Sequence, residues 1–302
     1  MESLSSLITP AVLKTMAHAR VPYPKDKPID FNTAGEEIFN DEYLVNNTRD
    51  IVWPVLVALS KLGLSNVPDP FSFLPAPADA EFPQQCFGLV ILLDQGPRLF
   101  CKGIDARWVS YFDKLSERLS DAYRNLPAHQ QPDSWARWRD EVGAGIDHWA
   151  VARLYFTAPL AHGEVLAYQE IAVNSNEHLR EIIETHTGEK DANRARREEV
   201  LSDPLGFFKN LAAGPPKGGD ITMQRWSFWL MMMMDSHYPI IKKFGRKPYK
   251  NAIEGRDSTA EEVKWLDDVN HAGEASPEVA KLVREDIKAG RWTPLGDHPR
   301  DA

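Results

Sequence analysis

The sequence predicts an all-α fold in which helices pack as an array. Apolar residues recur at spacings of three and four along most of the chain, as they do on the buried face of a helix. No stretch alternates apolar and polar residues in the manner of a strand, and no internal repeat of fixed period is present. No break is long enough to separate two folding cores, so we predict a single domain over residues 1–302.

The first clear helical patterns occupy residues 34–43 and 46–63, and Gly63 follows the last periodic position, as glycine often does at a helix end. Residues 65–83 are rich in proline, which is incompatible with a regular helix interior. They therefore predict a loop that could fold over the surface as a lid or a strap.

The next predicted helix is the most apolar one. Residues 82–100 are strongly apolar for about two turns, which indicates a buried helix that ends at Gly96-Pro97. Three further segments have the pattern of amphipathic helices: residues 104–123, 134–156 and 163–186.

The C-terminal third begins with a charged stretch, residues 188–200, whose mixed signs are typical of a solvated helix face. Residues 221–245 predict an apolar helix interrupted near Pro239. Ser258 and Glu261 have the spacing of a capping box, in which each side chain bonds the backbone of the other residue, so they predict a helix start.

Composition excludes several classes of function. With 26% charged residues and a net charge of −9, the chain is an ordinary globular protein and too acidic to follow a phosphate backbone, so we predict no nucleic-acid partner. No run approaches the roughly 18 apolar residues that cross a bilayer, and the N-terminus lacks the pattern of a signal peptide. These features predict a cytoplasmic protein without membrane contact. Cys86 and Cys101 are the only cysteines, which excludes a disulfide framework.

Three separated motifs occur in the same order as in a known family. The matching residues are Asp94, Gln95, Pro97 and Arg98; Pro159, Leu160, His162, Glu164 and Gln169; and His237, Phe244, Gly245, Arg246, Pro248, Asn251, Gly255, Arg256, Ser258, Thr259 and Glu262. Over about residues 85–270 the chain resembles domain-of-unknown-function family 924, whereas residues 1–80 match much less clearly. The resemblance implies a helical fold similar to tetratricopeptide proteins, with no established activity or cofactor.

The sequence departs from the family pattern at several motif positions. Gly96 stands where the family has Phe, Gly163 where it has Ser, and residues 247–250 read Lys-Pro-Tyr-Lys where it has Phe-Pro-His-Arg. If the family site needs that His and that Arg, this protein has changed its chemistry or its ligand. Tyr249 can still donate a proton, and Lys250 keeps the charge of Arg without its bidentate fork.

The matched charged residues predict a polar cluster against apolar helices, because each is costly to bury without a partner. Two interpretations remain open: a salt-bridge network that holds helices in register, or a pocket in which the arginines hold an anionic group. Under the second, the predicted catalytic residues are His162, Glu164, Asp94 and His237. The predicted substrate-binding residues are Arg98, Gln95, Arg246, Tyr249, Asn251 and Arg256.

The roles within this set follow from position. Glu164 lies near a predicted helix start, where unpaired backbone amides favour the charged carboxylate, so it is the candidate base or orienting residue. His162 is then the candidate proton donor. His162, Glu164 and His237 could also bind zinc or iron, but their spacing matches no metal motif, and we predict no metal. No nucleophile elbow, phosphate loop or dinucleotide fingerprint is present, so we predict no cofactor.

Aromatic side chains supply apolar walls for such a pocket. Trp135, Trp138 and Trp149 share one segment, and Trp226 and Trp229 share another; most of them are expected in the core. The leading hypothesis is a cofactor-independent enzyme that acts on a small organic metabolite by general acid–base catalysis, as a cyclase or isomerase of specialised metabolism. The alternative is a non-catalytic tetratricopeptide-like scaffold that binds a peptide or partner protein in its groove. Metal-dependent hydrolysis is a third possibility.

Overall fold

The computed structural model describes residues 4–300, and within that range it contains helices, loops and no strand, which confirms the predicted all-α fold. The α-helices in chain order are α1 (Leu4–Leu7), α2 (Pro10–Arg20), α3 (Phe31–Phe39), α4 (Glu42–Ser60), α5 (Phe82–Val90), α6 (Gly96–Phe100), α7 (Val109–Arg124), α8 (Trp135–Arg137), α9 (Ile146–His162), α10 (Leu166–Thr187), α11 (Arg197–Val200), α12 (Gly206–Ala213), α13 (Met223–Asp235), α14 (Tyr238–Phe244), α15 (Asn251–Glu254), α16 (Ala260–Asp268) and α17 (Pro277–Lys288). None of these helices is both long and apolar enough to cross a membrane.

Helix α9 lies at the centre of the molecule. Every residue from His148 to Ala161 is buried except Arg153, so this helix is apolar on nearly all sides. Helices α5, α7, α10 and α13 pack around it. Of the N-terminal helices, α2 packs against α5 and α4 packs against α6. Buried side chains from Ile8 to Met234 form one continuous cluster, which Leu295 joins from the C-terminal segment.

The most apolar helix continues further than the sequence indicated. A π-helical turn, Ile91–Gln95, joins α5 to α6, so the helix passes through Gly96-Pro97 and the predicted end at that point was wrong. In this wider turn the Gly96 amide donates to the carbonyl oxygen of Ile91, five residues earlier. The chain can therefore accommodate Pro97, which lacks an N–H group, without ending the helix.

The capping box of α16 lies one residue later than predicted. Thr259 accepts a hydrogen bond from the Glu262 amide, and the Glu262 carboxylate accepts one from the Thr259 amide at 2.8 Å. The hydroxyl of Ser258, which the sequence suggested as the cap, instead accepts a bond from the Asn251 side chain at 3.0 Å. A capping box is therefore present as predicted, but Thr259 supplies its hydroxyl, while the hydroxyl of Ser258 is bonded to Asn251.

Most of the charged stretch 188–200 is exposed, as predicted, but several of its side chains bind residues of the core helices. Asp191 is buried and accepts a hydrogen bond from Arg180 at 2.7 Å. Arg194 forms an ion pair with Glu184 on α10, and Arg197 forms one with Asp235 on α13 at 2.6 Å. Some of the charges therefore attach this stretch to two core helices, while most of its residues remain exposed.

The close contact between α2 and α5 requires glycine at position 88, and a substitution tests this requirement. A Cβ atom at this position would overlap the backbone carbonyl oxygen of Leu13 on α2. We expect Gly88→Ala to lower the free energy of unfolding by about 1–3 kcal/mol, because backbone cannot move aside as a side chain can. Urea denaturation measures this change.

Gly206→Ala provides the matched control, since Gly206 is also helical and the nearest atom to its added Cβ lies 3.6 Å away. This control should leave stability unchanged or raise it by up to about 1 kcal/mol. Equal effects of the two substitutions would show that the close approach of α2 and α5 is not what requires glycine.

Candidate functional site

The buried carboxylate of Asp94 lies at the centre of the predicted polar cluster. Asp94 is fully buried in the π-helical turn, and His162 Nδ1 lies 3.0 Å from both of its carboxylate oxygens. Gln95 donates a hydrogen bond to the same carboxylate, and Arg98 donates one to the Asp94 backbone oxygen at 2.7 Å. The structure thus brings together four of the predicted residues.

The protonation states follow from this environment. Burial alone would raise the pKa of Asp94, but the neighbouring His162 and Arg98 outweigh that effect and hold the pKa below its usual range. Burial lowers the pKa of His162, and the charge of Arg98 lowers it further. The imidazole is therefore neutral at pH 7 and donates its Nδ1–H to an ionised carboxylate.

Arg98 continues the network towards α7. Its guanidinium donates to Asp113 at 2.5 Å, and the other carboxylate oxygen of Asp113 accepts from Lys250 Nζ at 2.6 Å. Burial would raise the pKa of Asp113, but these two cations hold it well below its usual range. Asp113 therefore stays ionised and connects α7 to the turn that carries Lys250.

Lys247 is a buried lysine at a position where the family has Phe. Its side chain is 1% exposed, and Nζ donates to the carbonyl oxygens of Ala161 at 3.0 Å and His162 at 2.8 Å. These carbonyls belong to the last turn of α9, which attracts positive charge. Burial lowers the pKa of Lys247 well below its usual value, and the charge of Lys250 contributes to that shift. The end of α9 is thereby connected to the turn that follows α14.

Two predicted arginines are each bound to a carboxylate of the chain itself. Arg256 forms a bidentate pair with Glu164 at 2.7 and 3.0 Å, and the Glu164 carboxylate also accepts from the Lys247 amide at 2.8 Å. Arg246 forms a bidentate pair with Glu262 at 2.6 and 2.7 Å. Such pairs fix both partners in position. The predicted substrate-binding roles of these arginines are not tested by this geometry.

The remaining predicted residues flank these pairs. His237 is buried, its ring centre lies 5.7 Å from that of His162, and its Nδ1 lies 3.2 Å from the backbone oxygens of Met233 and Met234. Asn251 bonds Ser258, as described above, while Tyr249 packs with its ring centre 5.4 Å from that of Phe208. They surround the cluster without hydrogen-bonding to the Asp94 carboxylate.

A cavity of about 350 Å³ opens between α7, the turn after α9 and the C-terminal segment, and we call it the Glu117 cavity. Its polar lining includes two predicted residues, Glu164 and Arg256, whereas Asp94, His162 and His237 are not among the described residues that line it. The wall is formed by Leu64, Arg107, Ser110, Tyr111, Asp113, Lys114, Glu117, Gly163, Glu164, Val165, Lys250, Glu254, Arg256 and Trp292.

Glu117 is the lining residue that the sequence analysis missed. Its side chain is half-buried, and no described residue forms a hydrogen bond with its carboxyl group. Burial raises the pKa of Glu117 to about 7, and the negative charge of Asp113 adds to the shift. A Cβ atom at Gly163 would overlap Glu117 Oε1, so the carboxyl group occupies space that glycine leaves open. The family has Ser at this position.

Two signals in the sequence could have indicated this arrangement. Asp113 and Glu117 are spaced four residues apart on a predicted helix and must therefore share one face. Gly163 departs from the family residue and sits beside the His162 motif. Neither signal alone places the carboxyl group over the glycine. Within residues 4–300, no three His, Cys, Asp or Glu side chains are grouped as metal ligands.

The Arg246–Glu262 pair should make the free energy of unfolding depend on pH. The hydrogen bond from Arg246 lowers the pKa of Glu262 from its usual 4.5 to about 2. Between these values the unfolded chain binds a proton that the folded chain does not, so the stabilisation is present above pH 4.5 and is lost as pH falls towards 2. We expect Glu262→Gln to lower stability at pH 7 and to flatten its decline between about pH 5 and pH 2, measured by urea denaturation.

Glu261→Gln serves as the control, because that neighbouring side chain is 66% exposed and should leave the pH dependence unchanged. A variant at Glu262 that retains the full acid sensitivity of the original protein would contradict the assignment.

Comparison with known proteins supports the motif analysis. A family model described as a bacterial protein of unknown function, DUF924, matches residues 75–270, so the resemblance inferred from three motifs is confirmed. No curated protein and no solved structure matches the chain. Similarity to tetratricopeptide folds therefore stays a prediction. Because the family model covers more than half of its length, the chain belongs to the DUF924 family of bacterial proteins of unknown function.

Proposed function

We propose that this protein is a cofactor-independent enzyme that binds a small organic molecule in the Glu117 cavity and transfers protons by general acid–base catalysis, in an isomerisation or cyclisation. The observation that carries the proposal is the carboxyl group of Glu117, which lines the cavity and has no hydrogen-bond partner among the described residues. A volume of about 350 Å³ suits a small ligand.

Glu117 is better suited to proton transfer than Glu164. A group whose pKa lies near 7 exists in both forms at neutral pH and can accept a proton in one step and return it in another. Burial would raise the pKa of Glu164, but Arg256 and the Lys247 amide outweigh it and lower the pKa. Glu164 thus holds Arg256 in place at the cavity wall.

Lys250 and Arg256 supply the positive charge of the same wall. Each is paired with a carboxylate, Asp113 or Glu164, so the cavity is close to electrically balanced before a ligand binds. Fixed cations of this kind stabilise negative charge that develops on a substrate oxygen when a neighbouring proton is removed. The substrate class favoured by this arrangement is a polar carbonyl compound.

The Asp94–His162 pair lies behind this wall and supports it. Arg98 connects Asp94 to Asp113, which in turn holds Lys250. In this proposal Asp94 and His162 are positioning residues, and Glu117 is the residue that touches the substrate. The catalytic roles predicted for them from the sequence become supporting ones.

The first test is Glu117→Gln, which keeps the shape of the side chain and removes its proton chemistry. The protein is incubated in D₂O with a panel of small aldehydes and ketones, and deuterium incorporation at carbon is followed by mass spectrometry. We expect Glu117→Gln to reduce exchange by about 100-fold or more with an unchanged melting temperature. Glu170→Gln, on the exposed face of α10, should exchange at the original rate.

A titration makes this test independent of the substrate panel. In protein labelled with ¹³C at the glutamate carboxyl groups, one resonance should titrate near pH 7 and disappear in Glu117→Gln. If no glutamate titrates there, or if the variant exchanges deuterium as fast as the original protein, the proposal fails. Absence of exchange with every compound would favour the scaffold alternative.

Gly163→Ser tests the position of the carboxyl group, since it restores the family residue. The backbone at Gly163 has a φ of −70°, so serine is compatible with the conformation. Its Cβ would displace the carboxyl end of Glu117 from the wall. We expect a tenfold or larger loss of exchange activity with little change in melting temperature. Activity equal to that of the original protein would show that the observed position of Glu117 is not required.

A further inference from the structure

A second cavity, of about 610 Å³, lies between α2 and α5, and we call it the His148 cavity. It shares no lining residue with the Glu117 cavity. Helix α2 and the segment after it form one wall, and α5, the π-helical turn after α8 and the start of α9 form the other. Its lining consists of Lys14, Ala17, His18, Pro22, Tyr23, Pro24, Lys25, Gln84, Phe87, Trp138 and His148.

His148 is a buried polar group without a partner. The residue is 5% exposed, and its Nδ1 atom is buried without a hydrogen-bond partner among the described residues. Leaving a buried polar group unpaired costs about 1–3 kcal/mol, so such a group calls for an explanation. Burial lowers the pKa of His148 to about 4, and the charges of Lys25 and His18 add to the shift. The neutral ring can donate one N–H to a molecule in the cavity.

The charge of the lining has one sign. Lys14 and Lys25 line the cavity, and no Asp or Glu is among its described lining residues. Lys14 forms an ion pair with Glu81, which lies outside the lining. Lys25 is a half-buried residue, and its ammonium group has no hydrogen bond or ion pair with a described residue. His148 also lies in the first turn of α9, whose start has no side-chain cap and attracts negative charge.

Two aromatic rings close off the inner side of the cavity and are themselves almost fully buried, Phe87 at 0% and Trp138 at 1% exposure. Phe87 and Trp138 are buried, with ring centres 5.7 Å apart, and the Trp138 ring centre lies 6.0 Å from that of His148. Tyr23, flanked by two prolines, forms part of the opposite wall. The accessible apolar surface is therefore that of Pro22, Tyr23 and Pro24, and an aromatic ring can pack against it by stacking and edge contacts.

We propose that the His148 cavity binds a small organic carboxylate with a flat, apolar body. The carboxylate would lie between Lys25 Nζ and the His148 ring, and the apolar body would pack on Tyr23 and the prolines on either side of it. A cationic ligand would meet the unpaired ammonium group of Lys25, so amines are not expected to bind. Residues 14–25 lie outside the region matched by the family model, so this site combines the N-terminal segment with the family core.

Isothermal titration calorimetry of the full chain with 2-naphthoate tests the proposal, with 2-naphthamide as its neutral counterpart and 2-naphthylmethylamine as its cationic one. We expect naphthoate to bind at least tenfold more tightly than the amide, and the amine not to bind. Lys25→Met and His148→Phe should each weaken naphthoate binding about tenfold or more. Lys27→Met, an exposed lysine outside the lining, should bind as the original protein does.

Melting temperatures of the variants show whether each one folds, and His148→Gln replaces His148→Phe if the latter does not. The proposal is overturned if naphthoate does not bind at millimolar concentration, if the amide binds equally well, or if Lys25→Met and Lys27→Met bind alike. Glu117→Gln should bind naphthoate unchanged, so failure of the proposed acid–base function would leave this result intact.

Discussion

Two parts of the chain meet at the buried carboxylate of Asp94, whose charge has to be balanced where water cannot reach it. His162 and Gln95 bond its oxygens, and Arg98 extends the network to Asp113 and from there to Lys250. Removing one member of such a network would leave an uncompensated buried charge. The free energy lost in this way is larger than the net free energy that the intact network contributes to folding. The geometry of the helix ends around α9 therefore depends on this set of contacts.

Two departures from the family pattern, Lys247 and Gly163, lie next to His162 of this network. Lys247 introduces a buried amine where the family has Phe, and it is accommodated because the last carbonyl oxygens of α9 accept its hydrogen bonds. Gly163 removes a side chain from the turn after α9 and leaves space for the carboxyl group of Glu117. Lys247 and Gly163 therefore shape the end of α9 and the wall of the Glu117 cavity.

The N-terminal segment is part of the packed structure. Helix α2 approaches α5 closely at Gly88, and Arg20 donates to the backbone oxygen of Ile38, so α2 is joined to both α5 and α3. This close approach also forms a wall of the His148 cavity, which α5 and α9 alone would leave open. The segment that resembles the family least thus contributes a surface that the family region does not contain by itself.

The sequence by itself determined the helical class, the loop before α5, the family and most members of the Asp94 cluster, because these depend on local periodicity or on motifs a few residues long. It misplaced the end of the α5–α6 helix and the cap of α16, where a π-helical turn and the Asn251–Ser258 bond intervene. The position of Glu117 over Gly163 was decided only by the tertiary structure. Those residues are far apart in sequence, and the contact depends on how α7 packs against α9, which no local pattern records.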